Sequence, residues 1–354
     1  MGISAETVKE LARECGFELV GITPARPLFD FERFEQWRGN GFAGEMAYLT
    51  DRRGDMRRDP HTLLPSAQSI VTTGKLYNTA LPYASEMEDP ERGWISRYAW
   101  GADYHLVIRK ALEKLGNRIL DVHQSPFEWK ICIDTAPLLE RSYAQAAGLG
   151  WIGKNSCLIN QQQGSWFFLG ELLLSIPLSA DSPVPDRCGT CTRCIDACPT
   201  SAFVSDDEAG WLLDSRLCIS YLTIEKRGEI PVNHAEKTGN HIFGCDICQE
   251  VCPWNRRAPI TADSAFLPSS FAPRLQDLAE LTEDDFRLQF RGSPVLRTKY
   301  TGFLRNVAIA MGNSGREQMR WPLEKLAAHS DSLVAATAKQ ALMSLAPHTA
   351  TESD

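Results

Sequence analysis

Eight of the chain's eleven cysteines fall between positions 188 and 252, and their spacing limits what this region can be. Cys188, Cys191, Cys194 and Cys198, followed by Pro199, read C-x2-C-x2-C-x3-C-P. This is the pattern of bacterial ferredoxins with two iron–sulfur clusters, in which the fourth cysteine ligates the other cluster. A second group, Cys245, Cys248 and Cys252 before Pro253, lacks its first member, because Ile242 stands there. Cys218 is the spare cysteine that can fill the place. The crossover then assigns Cys188, Cys191, Cys194 and Cys252 to one 4Fe–4S cluster, and Cys198, Cys218, Cys245 and Cys248 to the other. Structural zinc also uses C-x2-C pairs, but the triple C-x2-C-x2-C and the Cys-Pro endings favour clusters. Two clusters held this way form a path for single electrons, so the chain is expected to do redox work. Cys15, Cys132 and Cys157 lie in apolar surroundings and read as small core residues.

Clustered thiols of this kind require a reducing compartment, so the cytoplasm is the expected location. The opening MGISAETVKELAREC is an amphipathic helix pattern with Ala5, Val8, Leu11 and Ala12 on one face. It carries no basic region followed by an apolar run and no twin arginine. The greasiest stretch, SWFFLGELLLSIPLSA at 165–180, is interrupted by Gly170, Glu171 and Pro177. It reads as buried core rather than a membrane span. A net charge of −8 argues against a general nucleic-acid binder. Between Phe286 and Arg305, however, Arg287, Arg291, Arg297, Lys299 and Arg305 occur with no acidic residue, interleaved with Phe290, Tyr300 and Phe303. Such a local patch can hold a phosphate backbone, or be no more than a solvated helix face.

The 354 residues leave room for two or three domains, and an α+β multidomain chain is expected. Residues 1–178 read as an α/β or α+β domain, with strands at Ser69–Thr73, Ile131–Asp134 and Cys157–Asn160 and helices at Tyr104–Leu120 and Leu138–Ala147. The polar, proline-bearing SADSPVPD at 179–186 marks a boundary. A ferredoxin-like segment with both clusters follows to about 260. Residues 261–354 turn helical, and the apolar-periodic runs at 303–311, 318–328 and 332–345 resemble HEAT-type helix pairs.

The electrons need a destination. No P-loop is present. In KICIDTAPLLER at 130–141, Asp134 closes an apolar run and Pro137 is placed in the first turn of the next helix. Asp134 can face a ligand crevice or merely cap that helix. In GLGWIGKNSC at 148–157, three glycines in six residues imply close backbone approach or unusual turns, and Lys154, Asn155 and Ser156 follow them. In ISRYAWGADYH at 95–105, aromatic, basic and titratable groups precede a helix that Asp103 can cap.

Seven blocks in order carry a resemblance: SRYAWGADYH (96–105), KICIDTAPLLERSYAQAAGLGWIGKNSCLIN (130–160), GSWFFLGELLLSIPL (164–178), CGTCTRCIDACPTSAF (188–203), RLCISYLTIEKRG (216–228), GCDICQEVCPWNR (244–256) and RGSPVLRTKYTGFLRNVAIAMGN (291–313). Together they resemble the epoxyqueuosine reductases, enzymes of tRNA modification, including the use of Cys218 in place of the missing ligand. The resemblance implies a cobalamin bound by the N-terminal domain and the cluster domain, and reduction of epoxyqueuosine to queuosine in the anticodon loop of tRNA. It implies electrons from an external low-potential donor of the flavodoxin or ferredoxin type, with a monomer as the default state. Carried over by position, Asp134 matches the proton donor and Tyr104 a tyrosine near the substrate. Arg57, Arg97, Lys154, Asn155, Ser156, Ser220 and Asp246 are candidates for cofactor contacts. Arg227, Arg297, Lys299 and Arg305 are candidates for tRNA phosphate contacts. A carboxyl in an apolar pocket over a corrin is expected to favour its neutral, donating form. The rivals are a cobalamin-dependent reductive dehalogenase, a plain electron carrier and a cobalamin-trafficking protein. Neither His105 nor His241 is committed as a ligand to cobalt.

Overall fold

A computed structural model describes residues 2–206, 210–268 and 271–345. The chain divides into two compact units that are each discontinuous in sequence. The first comprises residues 1–81, 101–216 and 247–267, and the second 82–100, 217–246 and 268–354. The three consecutive segments read from the sequence therefore cut across the spatial units, and the cluster-bearing stretch is shared between both. The end of the C-terminal segment, 346–354, lies outside the described residues.

The first unit is built on a four-stranded sheet. Its strands are β1 (Leu19–Pro24), β2 (Ser69–Leu76), β3 (Trp129–Cys132) and β4 (Phe167–Leu174), in the order β1-β2-β4-β3. Every pairing is antiparallel, so this unit is α+β and not a parallel α/β sheet. The two central strands are buried along nearly their whole length, as strands covered on both faces are. Helices α1 (Ala5–Glu14), α2 (Tyr104–His123) and α3 (Glu140–Ala146) accompany the sheet. Ser4 caps α1 by accepting from the Thr7 N–H, and Val8, Leu11 and Ala12 are the buried face, as the periodicity required. Asp103 caps α2 by accepting from the His105 N–H at 3.0 Å. A side chain at Gly170 would lie 2.6 Å from Ile108 Cγ2, so the glycine in β4 is what lets α2 approach the sheet. The stretch expected as buried core, 165–180, is thus a central strand.

The second unit holds a short parallel pair, Trp94–Ile95 with His241–Phe243, and three C-terminal helices: α4 (Lys299–Asn313), α5 (Arg320–Ala327) and α6 (Ser332–Ser344). Helix α4 is buried from Gly302 to Gly312 because it carries two polar anchors into the core. Asn306 Nδ2 donates to the carbonyls of Thr223 (2.7 Å) and Ile242 (2.9 Å). Arg305 donates to the carbonyls of Leu222 (2.8 Å), Lys226 (2.8 Å) and Gly228 (2.7 Å), and to Asn306 Oδ1. These bonds fix the backbone between Cys218 and Cys245. Replacing Arg305 by Ala strands the buried Leu222 carbonyl and removes the bonds to the less buried carbonyls of Lys226 and Gly228, and is expected to cost about 3 kcal/mol, measured as a drop in urea midpoint against Arg291→Ala. No helix among the described residues is long and apolar enough to cross a membrane.

Candidate functional site

Two centres take shape in the first unit. The first is a cavity of about 250 Å3 lined by Cys188, Cys191, Cys194 and Cys252, with Lys154, Asn155 and Trp254. These are the four thiols that the crossover rule groups. Burial and the neighbouring thiols push the Cys194 thiol up to about 11; burial likewise raises Cys252. Four thiolates at such a place need a cationic centre to be stable. The four thiols surround one space, an arrangement suited to a polynuclear cluster.

The glycine-rich loop at 148–157 is the wall behind this cavity. Gly148 has φ +79°, and a side chain there would lie 2.6 Å from the Ser182 carbonyl oxygen; at Gly150 it would lie 2.2 Å from that of Ile159. The close approach read from the three glycines is therefore present. Lys154 Nζ donates to the carbonyls of Gly189 (2.8 Å) and Cys191 (3.0 Å), and Asn155 Nδ2 to that of Cys248 (3.2 Å). Both residues hold cysteine loops in place, a role the sequence did not suggest. Ser156, at φ +63°, offers its carbonyl oxygen to Arg141.

The second centre is the turn after β3. Strand β3 ends at Cys132 and α3 begins at Glu140, so Asp134 and Pro137 both lie in the connection and neither belongs to a regular element. Asp134 has φ +39°, the left-handed region that Asp tolerates better than most side chains. It caps no helix, since the N-cap of α3 is Leu139. Its carboxylate, 45% exposed, faces His105, whose Nε2 is 3.1 Å from Asp134 Oδ2. His105 Nδ1 is 2.8 Å from Asp103 Oδ1. The Tyr104 ring stacks on His105 (4.1 Å between centroids) and on Phe168 (4.3 Å). Burial opposes the charged imidazole, but hydrogen bonds and charges from Asp103 and Asp134 outweigh it and raise His105 to about 9. Behind the turn lie Glu171, fully buried, and Glu140, partly buried. Burial first, then Asp134 for Glu140 and Glu140 for Glu171, push both up. Asp134 is half exposed beside His105.

His105 was left uncommitted in the sequence, and its partnership has a measurable consequence. Because its folded value lies above the ordinary 6.5, its contribution to stability is complete below pH 6.5 and is lost as pH rises through about 9. Chemical denaturation at pH 6 and 9.5 should therefore show a difference on the order of 2 kcal/mol that shrinks in His105→Gln.

Other candidates are placed differently from expectation. Arg97 is 1% exposed. Its guanidinium lies over the Trp100 and Tyr83 rings and donates to the Pro82 carbonyl, and its backbone N–H donates to Asp246 Oδ2 at 2.7 Å. Asp246 is buried too, so this pair braces the second unit. Arg57 is buried with Nη1 on the carbonyls of Tyr48 and Arg53. Ser220 remains partly exposed. Arg305 is corrected from a phosphate contact to a buried anchor, and Arg297 Nε is 2.7 Å from Glu225. Arg287 is paired with Glu283. Phe286, Phe290 and Phe303 pack on one another in the core and are not free to stack on bases. The basic patch is thereby reduced to exposed Arg227, Arg291 and Lys299, beside a paired Arg297.

Comparison with known proteins follows the same lines. Residues 57–135 match the family model described as epoxyqueuosine reductase QueG, DUF1730, and residues 187–255 match a 4Fe-4S double cluster binding domain. The chain is 40% identical to the epoxyqueuosine reductase of Xanthomonas campestris pv. campestris over 93% of its length and 92% of that protein. It is 41% identical to that of Escherichia coli over 88% of its length and 81% of that protein. The chain belongs to the epoxyqueuosine reductase family. Among solved members, the enzyme with an epoxyqueuosine-modified tRNA-Tyr stem loop superimposes with a TM-score of 0.87 at 30% identity, covering 97% of this chain and 90% of that one. A Bacillus subtilis member, at 0.86 and 28%, has its catalytic aspartate loop swung out of the active site. As a member of this family the chain is an oxidoreductase, and its double-cluster region contains all eight clustered cysteines.

Proposed function

We propose that the chain reduces the epoxide of epoxyqueuosine in tRNA, giving queuosine. The observation that carries this reading is the co-occurrence of a thiol-lined cluster cavity and an exposed, strained carboxylate turn in one unit of a chain so close to its relatives. Epoxide removal needs two electrons and two protons for each molecule of water released. The clusters accept electrons one at a time from an external low-potential donor of flavodoxin or ferredoxin type. A cobalamin, when bound, supplies a cobalt centre that can be reduced to low potential and act on the epoxide carbon.

The residues proposed to hold that cofactor fit in part. Asp134, Ser156 and Ser220 are accessible and would contact it. Arg57, Arg97 and Asp246 are committed to protein partners and would support the surrounding backbone instead. Lys154 and Asn155 secure the cluster loops. Asp134 is assigned the general acid at the departing oxygen, and Tyr104, fixed by stacking, a position beside the substrate. A loop movement of the kind seen in the Bacillus subtilis relative suits an aspartate at positive φ in a short connection.

By function we divide the chain at 1–178, 179–260 and 261–354, reading the last part as HEAT-like helices that face tRNA, in a cytoplasmic monomer. Arg227, Lys299 and Arg297 are the proposed phosphate contacts. Lys299→Ala with Arg297→Ala is expected to weaken stem-loop binding about tenfold and to lower the salt slope by about one to two. An unchanged slope places the tRNA elsewhere.

Single turnover decides the reading. Reconstituted protein with cobalamin and a low-potential reductant is given epoxyqueuosine tRNA without oxygen, and the nucleosides are read by mass spectrometry. Loss of one oxygen mass is the expected result. An unchanged nucleoside, with clusters and corrin verified by spectroscopy, would overturn the proposal.

A further inference from the structure

We propose that His105 is the proton-supplying partner of Asp134, so that protons reach the departing oxygen along a relay from solvent through the imidazole to the carboxyl. The inference rests on the functional reading above and deepens it. Each turnover consumes two protons, and one carboxyl stores only one, so Asp134 must be reloaded before the product is complete.

The geometry serves this task. His105 lies in the first turn of a helix, a place where backbone N–H groups disfavour a cation. Two carboxylates, Asp103 and Asp134, reverse that preference, and they are the charged groups facing the ring. Asp103 Oδ1 accepts from both the backbone N–H (3.0 Å) and Nδ1 (2.8 Å) of His105. The Nδ1 proton is thereby fixed, and Nε2, 3.1 Å from Asp134 Oδ2, carries the mobile one. Stacking of Tyr104 against the ring, backed by Phe168, holds its plane. The imidazole is 28% exposed, enough to exchange with water.

Two C–O bonds of the epoxide break and a C=C bond forms with the electron pair delivered through the clusters. As the first C–O bond opens, the His105 Nε2 proton passes to the Asp134 carboxylate and from it to the oxygen. The ring is left neutral with its Nδ1 proton still on Asp103. Solvent reprotonates Nε2, and a second proton passes by the same route as water leaves. Asp134 is the point of transfer and His105 the store. As a residue that acts through another, His105 is a positioning and supply residue, not a catalytic one.

The test uses the full chain with clusters and cobalamin, dithionite as reductant and the modified stem loop. Single-turnover rates are measured between about pH 6.5 and 10 for wild type, His105→Gln and His105→Ala, the last with and without added imidazole. The wild-type rate should fall as pH rises through about 9. His105→Gln should be about a hundredfold slower without that alkaline fall, imidazole should restore part of the His105→Ala rate, and stem-loop affinity and cluster spectra should not change. A His105→Gln rate within about threefold of wild type, or a slow variant that keeps the alkaline fall and ignores imidazole, would sink the relay and leave His105 a tether for the turn. Should wild type itself fail to remove the oxygen, the functional reading fails separately. The relay is then decided by nitrogen-15 NMR titration of His105, which must lie well above ordinary histidine and drop in both Asp103→Asn and Asp134→Asn. An ordinary titration in wild type overturns it.

Discussion

Asp134→Asn is expected to leave both clusters assembled and the stem loop bound, and to slow single-turnover removal of the epoxide oxygen about a thousandfold. The asparagine retains the size of the side chain and an oxygen that can accept from His105, so the turn should keep its shape. What it loses is the ability to carry a proton. An epoxide oxygen leaving as an alkoxide is a strong base, and at a half-exposed turn only water replaces the acid. Conversion measured by mass spectrometry, beside iron content and stem-loop affinity, isolates the chemistry from folding. A rate near wild type would remove Asp134 as the acid. Glu140, which burial and the charge of Asp134 push up, would then be the next candidate.

Cys218→Ala is expected to reduce iron to about half and to abolish turnover driven by a protein donor. The second cluster's ligand set was completed by elimination, with Ile242 standing where a cysteine would normally fall. A cubane missing one thiolate is exposed and labile, and with it the electron path is broken. Cys132→Ala serves as the control. That thiol is fully buried in the core, and burial pushes it up to about 12, so its removal should leave the iron unchanged. Full iron in Cys218→Ala, with unaltered cluster spectra, would mean another residue provides the fourth ligand.

The two predictions differ in how visible their residues were. The cysteines announced themselves, because cluster ligation imposes short, fixed spacings within single loops. Four of them do surround one cavity. The glycines at 148–150 were legible for a similar reason, since the constraint acts on the local backbone. Asp134 could be singled out beside its strand, but not the group it faces. Its partner His105 is distant in the chain and reaches it only because α2 and the turn after β3 meet.

The basic run at 286–305 shows the opposite failure. In the sequence its arginines look equivalent. In the fold Arg305 is an internal anchor, Arg297 and Arg287 are paired with acids from outside the run, and the aromatics are core. Charge in one dimension does not say which guanidiniums face solvent, because the carbonyls that capture Arg305 lie some eighty positions earlier.

The sequence by itself determined the cluster chemistry, helix α2 with its Asp103 cap and the family, because metal spacing, capping and apolar periodicity are properties of neighbouring residues. Tertiary structure alone decided that the central sheet is antiparallel, that the cluster segment is divided between two units, and that Asp134 answers to His105. Each of these depends on residues far apart in the chain, and burial and electrostatics act through distance in space.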